Sequence, residues 1–109
     1  MVSYFVRYQG RAERPESFAT YYATRHAAIL AEFPGIRSLV LHQPVPWIDP
    51  FPVEPDPSFL LAQMKFDSVE ALNEALQSDA RSRARDDFAR FPTFRADVTH
   101  GAMRGELIF

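Results

Sequence analysis

The sequence predicts an α+β domain of ferredoxin-like topology, whose antiparallel four-stranded sheet pairs with a second copy of the chain as a dimeric α+β barrel. Three observations support this class. Strand and helix patterns follow the order β-α-β, a long loop, and again β-α-β. The length of 109 residues, with no Cys, suits one domain over residues 1–109. The predicted strands carry apolar side chains on both faces, so both faces need cover.

The first half has the pattern of a split β-α-β unit. Residues 2–8 are β-branched and aromatic with no breaker, which predicts a strand. Residues 9–14 predict a polar turn, and Pro15 suits the first turn of a helix that continues to about Glu32. After a Pro-Gly stop, residues 36–43 predict the second strand. The apolar side of the helix carries Phe18, Tyr22, His26, Ile29 and Leu30.

A proline-rich loop separates the two halves. Residues 44–57 contain six prolines, a density that excludes a regular helix or strand. The loop also carries Trp47, Ile48, Phe51 and Val53, and large apolar side chains in a loop need cover. Two roles are open. The loop is a lid over a pocket, with Trp47 or Phe51 touching the substrate, or it is a contact between subunits, which we favour.

The second half repeats the strand and helix pattern. Asp67 and Glu70 have the spacing of a capping box that opens a helix. Ser78 and Asp79 then predict a break and a new cap. The apolar tail after the last strand suggests a short extra strand. The predicted elements of this half are a strand at 58–66, a helix after 67, a helical stretch at 79–91 and a strand at 94–100.

Apolar side chains on both strand faces predict the dimer. Helices cover one face of such a sheet, and the same sheet of a second copy is the simplest cover for the other. The pattern does not decide which face meets the helices, because one bulge inverts it. The opposed sets are Val2, Tyr4, Val6 and Tyr8 against Phe5; Leu60, Ala62, Met64 and Phe66 against Phe59 and Leu61; and Ile36 and Val40 against Leu39 and Leu41.

Charge and composition argue against several classes of protein. The net charge is −2, and four arginines within 81–90 are interleaved with Asp79, Asp86 and Asp87. This pattern indicates a solvated helix face and not a nucleic-acid surface. We expect no membrane span, no targeting leader and a cytoplasmic location. No phosphate-binding glycine motif predicts a cofactor, and the three histidines lack metal-ligand spacing, so we expect neither cofactor nor metal.

The segment FATYYATRHAAILAEFPGI, residues 18–36, resembles the first helix of the EthD family, which carries F-x-x-Y-Y-x-x-x-H before a P-G turn. The matching residues are Phe18, Tyr21, Tyr22, His26, Pro34 and Gly35. The block LLAQMKFDSVEALNEAL is similar to the family's third strand and second helix. The resemblance implies a small homodimeric barrel with a pocket between sheet and helices in each subunit. Family members are associated with the breakdown of ethers and other small organic compounds.

A histidine on the apolar side of the first helix is the first candidate for chemistry. Desolvation there favours a neutral His26 that accepts or gives a proton, although a core histidine with satisfied ring nitrogens is the alternative. Tyr22, one turn earlier, either orients the imidazole or binds a substrate oxygen, or it is a rim aromatic. The resemblance extends to methylmuconolactone isomerases, which have a His at the place of His26. Those enzymes have a Tyr and a Cys where this chain has Leu39 and Met64, which argues against that particular isomerisation.

These features predict a small homodimeric protein that binds a small hydrophobic organic compound. The predicted activity is that of a cofactor-independent isomerase, dehydratase/cyclase or oxygenase-type enzyme in degradation or secondary metabolism. His26 is the expected general acid/base, aided by Tyr22. The alternative is a non-catalytic ligand-binding or accessory protein that supports an oxygenase. The predicted substrate contacts are Phe18, Tyr8, Leu39, Met64, Phe88 and Trp47.

Overall fold

The computed structural model describes residues 1–109 and contains one antiparallel sheet of four strands in the order β2-β3-β1-β4. This order, with helices after the first and third strands, is the ferredoxin-like arrangement that the sequence predicts. The strands are β1 (Val2–Ala12), β2 (Ser38–His42), β3 (Ser58–Phe66) and β4 (Phe94–Arg104). The third strand has the predicted bounds.

The helices lie on one face of the sheet. The first is interrupted: α1 (Pro15–Tyr21) continues through a π-helical turn, Tyr22–His26, into α2 (Ala27–Leu30). The second half supplies α3 (Val69–Leu76), α4 (Asp79–Asp87) and a 3₁₀ turn, Phe88–Arg90. No helix combines the length and apolar character that crossing a bilayer requires.

The helix-covered face of the sheet is the one that carries Tyr4, Val6 and Tyr8. In β1 these three residues are buried, and the register places them opposite Met64, Ala62 and Leu60 of β3, which are also buried. Leu39 and Leu41 of β2 pair with Met64 and Ala62 and therefore share this face. The structure thus resolves the choice of face that the sequence pattern left open.

The opposite face, here called the outer face, is more mixed than the sequence analysis predicts. Val40 and Met103 are exposed there, and Phe5 and Leu61 are half-buried. Polar side chains lie among them, and the Gln63 amide donates to the Ser3 hydroxyl. The outer face therefore carries an apolar strip, formed by Phe5, Val40, Leu61 and Met103, among polar side chains.

Two residues that strand alternation groups with Leu61 and Val40 of the outer face pack instead against the helix-side core. The β1–β3 register shifts between Tyr8 and Gln9, and this bulge turns Phe59 inward, with its ring centroid 5.1 Å from that of Phe18. Ile36 precedes β2, so strand alternation does not govern it, and it packs against the core. Both predictions are wrong because each assumed an uninterrupted strand.

The adjacent strands β1 and β4 are longer than predicted. Residues 9–12, predicted as a turn, continue β1 because they pair with 94–97 of β4. Gly10 lies there with φ +147°, and a Cβ added to it would come within 2.2 Å of the Arg95 carbonyl oxygen. Gly101–Arg104 extend β4 by pairing with Val2–Phe5, so the tail supplies no separate strand.

Helix starts follow the predicted breaks, with one change of cap. Ser68, and not Asp67, caps α3 by accepting a hydrogen bond from the Ala71 amide at 3.1 Å. Asp67 instead accepts two hydrogen bonds from the Arg37 guanidinium, at 2.6 and 3.0 Å. Ser78 caps α4 as predicted.

The proline-rich loop, residues 44–57, contains no helix or strand, as predicted. It is tied to β1 by an ion pair between Asp56 and Arg7. Its large apolar side chains are exposed, Ile48 at 96% and Phe51 at 73%. The loop therefore buries little apolar surface within this chain.

Candidate functional site

A cavity lies between the sheet and the helices, where α4 and its 3₁₀ turn approach β1 and β4. Its volume is about 50 Å³, which holds a few water molecules. Aromatic and aliphatic side chains form its floor, and arginines of α4 stand at its mouth. The lining residues are Tyr4, Val6, Tyr8, Tyr22, His26, Leu30, Phe33, Met64, Arg81, Ala84, Arg85, Phe88 and His100.

A buried His-Asp pair adjoins this cavity. Nδ1 of His26 lies 3.0 Å from Oδ2 of Asp87, and both side chains are less than a tenth exposed. The Tyr21 hydroxyl donates to the other carboxylate oxygen, Oδ1, at 2.7 Å. Asp87 thus accepts from two neighbours and fixes the orientation of the imidazole, a recurrent arrangement for a histidine that transfers protons.

The π-turn brings the two donors to the same carboxylate. Tyr21 and His26 are five residues apart, which in a regular α-helix places them about 140° apart around the axis. The turn is wider here: the Ala27 amide bonds to the Tyr22 carbonyl, five residues back. Both side chains therefore reach Asp87 from one helix. Such turns are frequent at functional sites.

The electrostatics favour a neutral imidazole with one free nitrogen. Burial lowers the pKa of His26 below 6.5, and the hydrogen bond and charge of Asp87 oppose that shift in part. Burial raises the pKa of Asp87, but hydrogen bonds from Tyr21 and His26 outweigh it, so the net shift is downward. At neutral pH, Asp87 is a carboxylate that accepts from Nδ1–H of His26. Nε2 has no protein partner and is not sealed from the cavity.

Two tyrosine hydroxyls add polar groups to the apolar wall. Burial raises the pKa of Tyr8 to about 12, and a hydrogen bond from Tyr22 opposes the shift. Burial, with the hydrogen bond to Tyr8, raises the pKa of Tyr22 well above its usual value. Both groups stay protonated at neutral pH, so they supply donors and no charge. The Tyr22 ring packs on the His26 ring, with centroids 4.7 Å apart.

The structure gathers most, but not all, of the residues predicted for the site. His26, Tyr22, Tyr8, Met64 and Phe88 line the cavity. The other three predicted contacts lie elsewhere. Phe18 is sealed inside an aromatic cluster, Leu39 packs at the core's edge on β2, and Trp47 borders a separate surface depression beside the loop.

Sequence reasoning missed Asp87, the role of Tyr21 and the α4 arginines. The charge pattern predicts a solvated face for Asp87, and a regular helix turns Tyr21 away from His26. One signal was available for Asp87. With α4 beginning at the Ser78 cap, Ala80, Ala84 and Asp87 share its buried side, and a lone carboxylate among alanines indicates a specific partner.

No three His, Cys, Asp or Glu side chains converge as a metal site would require.

The four-stranded antiparallel sheet, with helices on one face and a cavity between them, defines the class of ferredoxin-like α+β domains. An EthD-domain family model matches residues 11–94. The chain therefore belongs to the EthD family. None of the curated proteins compared with the chain matches it.

Solved structures with the same fold cover nearly the whole chain. An EthD family protein of Bacillus halodurans superposes with a TM-score of 0.73 at 20% identity, over 97% of this chain and 100% of its own. SnoaB, a cofactor-independent oxygenase of Streptomyces nogalater, gives 0.62 at 18%, over 97% and 93%. A dimeric ferredoxin-like protein of Bacteroides fragilis gives 0.59 at 13%, over 95% of each chain.

Proposed function

We propose that this chain forms a homodimer in the cytoplasm and catalyses a proton-transfer reaction on a small, largely apolar organic compound bound in the sheet–helix cavity. His26 is the general acid/base, and Asp87 with Tyr21 positions it. The reaction class is isomerisation, dehydration or cyclisation, or oxygenation without an organic cofactor. The similarity in fold to SnoaB is compatible with the last of these.

The observation that carries the proposal is the state of the His26 imidazole. Nδ1 is held by a buried carboxylate at 3.0 Å, while Nε2 is unpartnered at an aromatic cavity. A histidine with a purely structural role commonly satisfies its ring nitrogens within the protein. Here one nitrogen is oriented and the other is kept available, which is the requirement for a general base.

The chemical step follows from that geometry. Nε2 takes a proton from a carbon or oxygen acid of the substrate, and the electron pair of the broken bond stays on the substrate. Asp87 stabilises the resulting imidazolium. A substrate larger than a few water molecules needs the cavity to widen. Phe88, at 38%, is the one exposed apolar side chain of the lining, so widening the cavity there disturbs the buried core least.

Deuterium exchange tests this step without knowledge of the natural substrate. A carbon acid of suitable shape, such as 2-tetralone, is incubated with the protein in D2O, and exchange of its acidic hydrogens is followed by proton NMR. We expect the wild type to accelerate exchange and His26→Ala to abolish the acceleration. His42→Ala is the matched control, because His42 is exposed and bonded to Gln63 away from the cavity.

The non-catalytic alternative gives a different result. If the protein only binds or delivers a ligand, 2-tetralone or related ketones will protect it from thermal unfolding without accelerated exchange. Equal exchange by the wild type and His26→Ala would contradict the catalytic role of His26. Binding that survives His26→Ala while exchange is lost supports it.

The outer face supports the homodimer. Phe5, Val40, Leu61 and Met103 form its apolar strip, and a second copy covers such a strip in an isologous contact. We expect a mass of twice the 12.5 kDa chain in light scattering. Val40→Lys should shift the protein towards monomer, whereas Val69→Lys, at an exposed position of α3, should not. A wild-type monomer at micromolar concentration would contradict the proposal.

A further inference from the structure

The charged side chains of α4 are divided between different partners. Asp87 turns inward to His26, and Arg83 pairs with Glu32 at 3.3 Å. Arg81 and Arg85 have no carboxylate within ion-pair distance, although acidic residues surround them in sequence. They are one helical turn apart and therefore lie on the same side of α4, at the mouth of the cavity.

A third basic group faces these arginines from the sheet. His100 lies on β4 opposite Val6, on the helix-covered face, and lines the same cavity. None of the 13 lining residues is Asp or Glu. The mouth of the cavity is therefore lined by cationic and neutral groups.

The charge of the two arginines reaches into the cavity. Burial, and then the charges of Arg81 and Arg85, lower the pKa of His100. The charge of Arg85 also acts on the buried Tyr8 hydroxyl in the direction that favours a phenolate. The two arginines thus create a positive potential at the mouth of the cavity, and such a potential stabilises an anion there.

We propose that Arg81, Arg85 and His100 form an anion-binding subsite, and that the compound bound in the cavity is an organic carboxylate with an apolar body. This inference rests on the proposed function, since it assigns one end of the same substrate. Arginine is suited to the role because its planar guanidinium binds carboxylates with two parallel hydrogen bonds. The apolar body then points towards His26 and the aromatic wall.

Benzoate and its uncharged analogue benzamide are the probes for this subsite. Their binding to the full-length protein is followed by the shifts of the cavity-lining resonances in NMR titrations. We expect benzoate to bind about tenfold or more tightly than benzamide, as a charged hydrogen bond predicts. The preference should disappear in the double variant Arg81→Gln/Arg85→Gln. It should persist in Arg83→Gln, the matched control on the same helix.

Three outcomes would overturn the inference. They are equal affinity for the two probes, absence of saturable benzoate binding, and a loss of preference in Arg83→Gln as large as in the double variant. His26→Ala separates this inference from the proposed function. The benzoate preference should survive that substitution, because anion binding does not need the imidazole, whereas proton transfer does.

Discussion

Replacing Asp87 by Asn tests the buried pair most directly. The carboxylate accepts from Nδ1 of His26 at 3.0 Å and from the Tyr21 hydroxyl at 2.7 Å, whereas one amide offers a single acceptor oxygen. In Asp87→Asn, either the Tyr21 hydroxyl or Nδ1–H of His26 therefore loses its acceptor and faces the NH2 group of the new amide. A hydrogen bond to a charged group contributes about 1.5–3 kcal/mol, so we expect a loss of about 2–3 kcal/mol. In a domain of this size, that corresponds to a fall in Tm of about 10 °C or more.

The assay combines denaturant unfolding with NMR of the imidazole. Without the carboxylate, the contribution that raises the pKa of His26 is removed and burial remains, so this pKa should fall further below 6.5. Asp86→Asn is the control, because the Asp86 side chain is exposed and only its backbone carbonyl accepts a bond, from Arg90. The reasoning fails if Asp87→Asn is as stable as Asp86→Asn, or if the pKa of His26 is unchanged.

The acid dependence of stability has a defined sign at this pair. Because the folded pKa of His26 lies below 6.5, the unfolded chain binds the proton more readily, and His26 reduces stability as the pH falls below 6.5. Asp87 has a folded pKa below 3.8. Its contribution to the free energy of unfolding is therefore present above pH 3.8 and is lost as the pH falls through the folded pKa. Denaturant unfolding measured at decreasing pH should therefore show two successive losses of stability, the first below pH 6.5 from His26 and the second below pH 3.8 from Asp87.

Three further predictions concern the scaffold. Gly10→Ala should strongly lower Tm, because its Cβ would meet the Arg95 carbonyl oxygen at 2.2 Å, whereas Gly101→Ala, with no atom within 4 Å, should be tolerated. Between pH 10 and 12 the folded state holds the Tyr8 proton that the unfolded chain has lost. The free energy of unfolding that Tyr8 contributes, about 3 kcal/mol, is therefore present below pH 10 and lost towards pH 12. Followed by circular dichroism, the stability of Tyr8→Phe should depend less on pH across this range than that of the wild type. Ser78→Ala should cost about 1 kcal/mol in denaturant unfolding, since it removes the cap of α4, and an unchanged midpoint would contradict this.

Local rules predicted the parts of this fold that depend on neighbouring residues. The 58–66 strand, the Ser78 cap and the shared face of Tyr4, Val6 and Tyr8 follow from alternation and capping, and the structure has them. The bulge at Tyr8 does not follow from such rules, because it depends on how two distant strands are paired. For that reason strand alternation alone places Phe59 on the face opposite the one that it occupies.

The candidate site was predicted less completely because its parts meet across the fold. His26 was identified by its type and by the apolar side of its helix. Its partner Asp87 is 61 positions away, and it belongs to a segment whose charge pattern resembles an ordinary solvated helix. Tyr21 could not be placed at the site from the sequence, because a regular helix points it away from His26 and the local sequence does not indicate a π-turn.

The widened turn at Tyr22–His26 suggests how such a site arises and is lost. A turn closed over five residues contains one residue more than an α-helical turn. Removing a single codon there would leave Tyr21 and His26 four residues apart, about 40° around a regular helix and still on the side that faces Asp87. Straightening the turn without removing a residue would instead separate the two side chains by about 140° and take Tyr21 out of reach of Asp87, so the widened turn is what lets one helix present both donors.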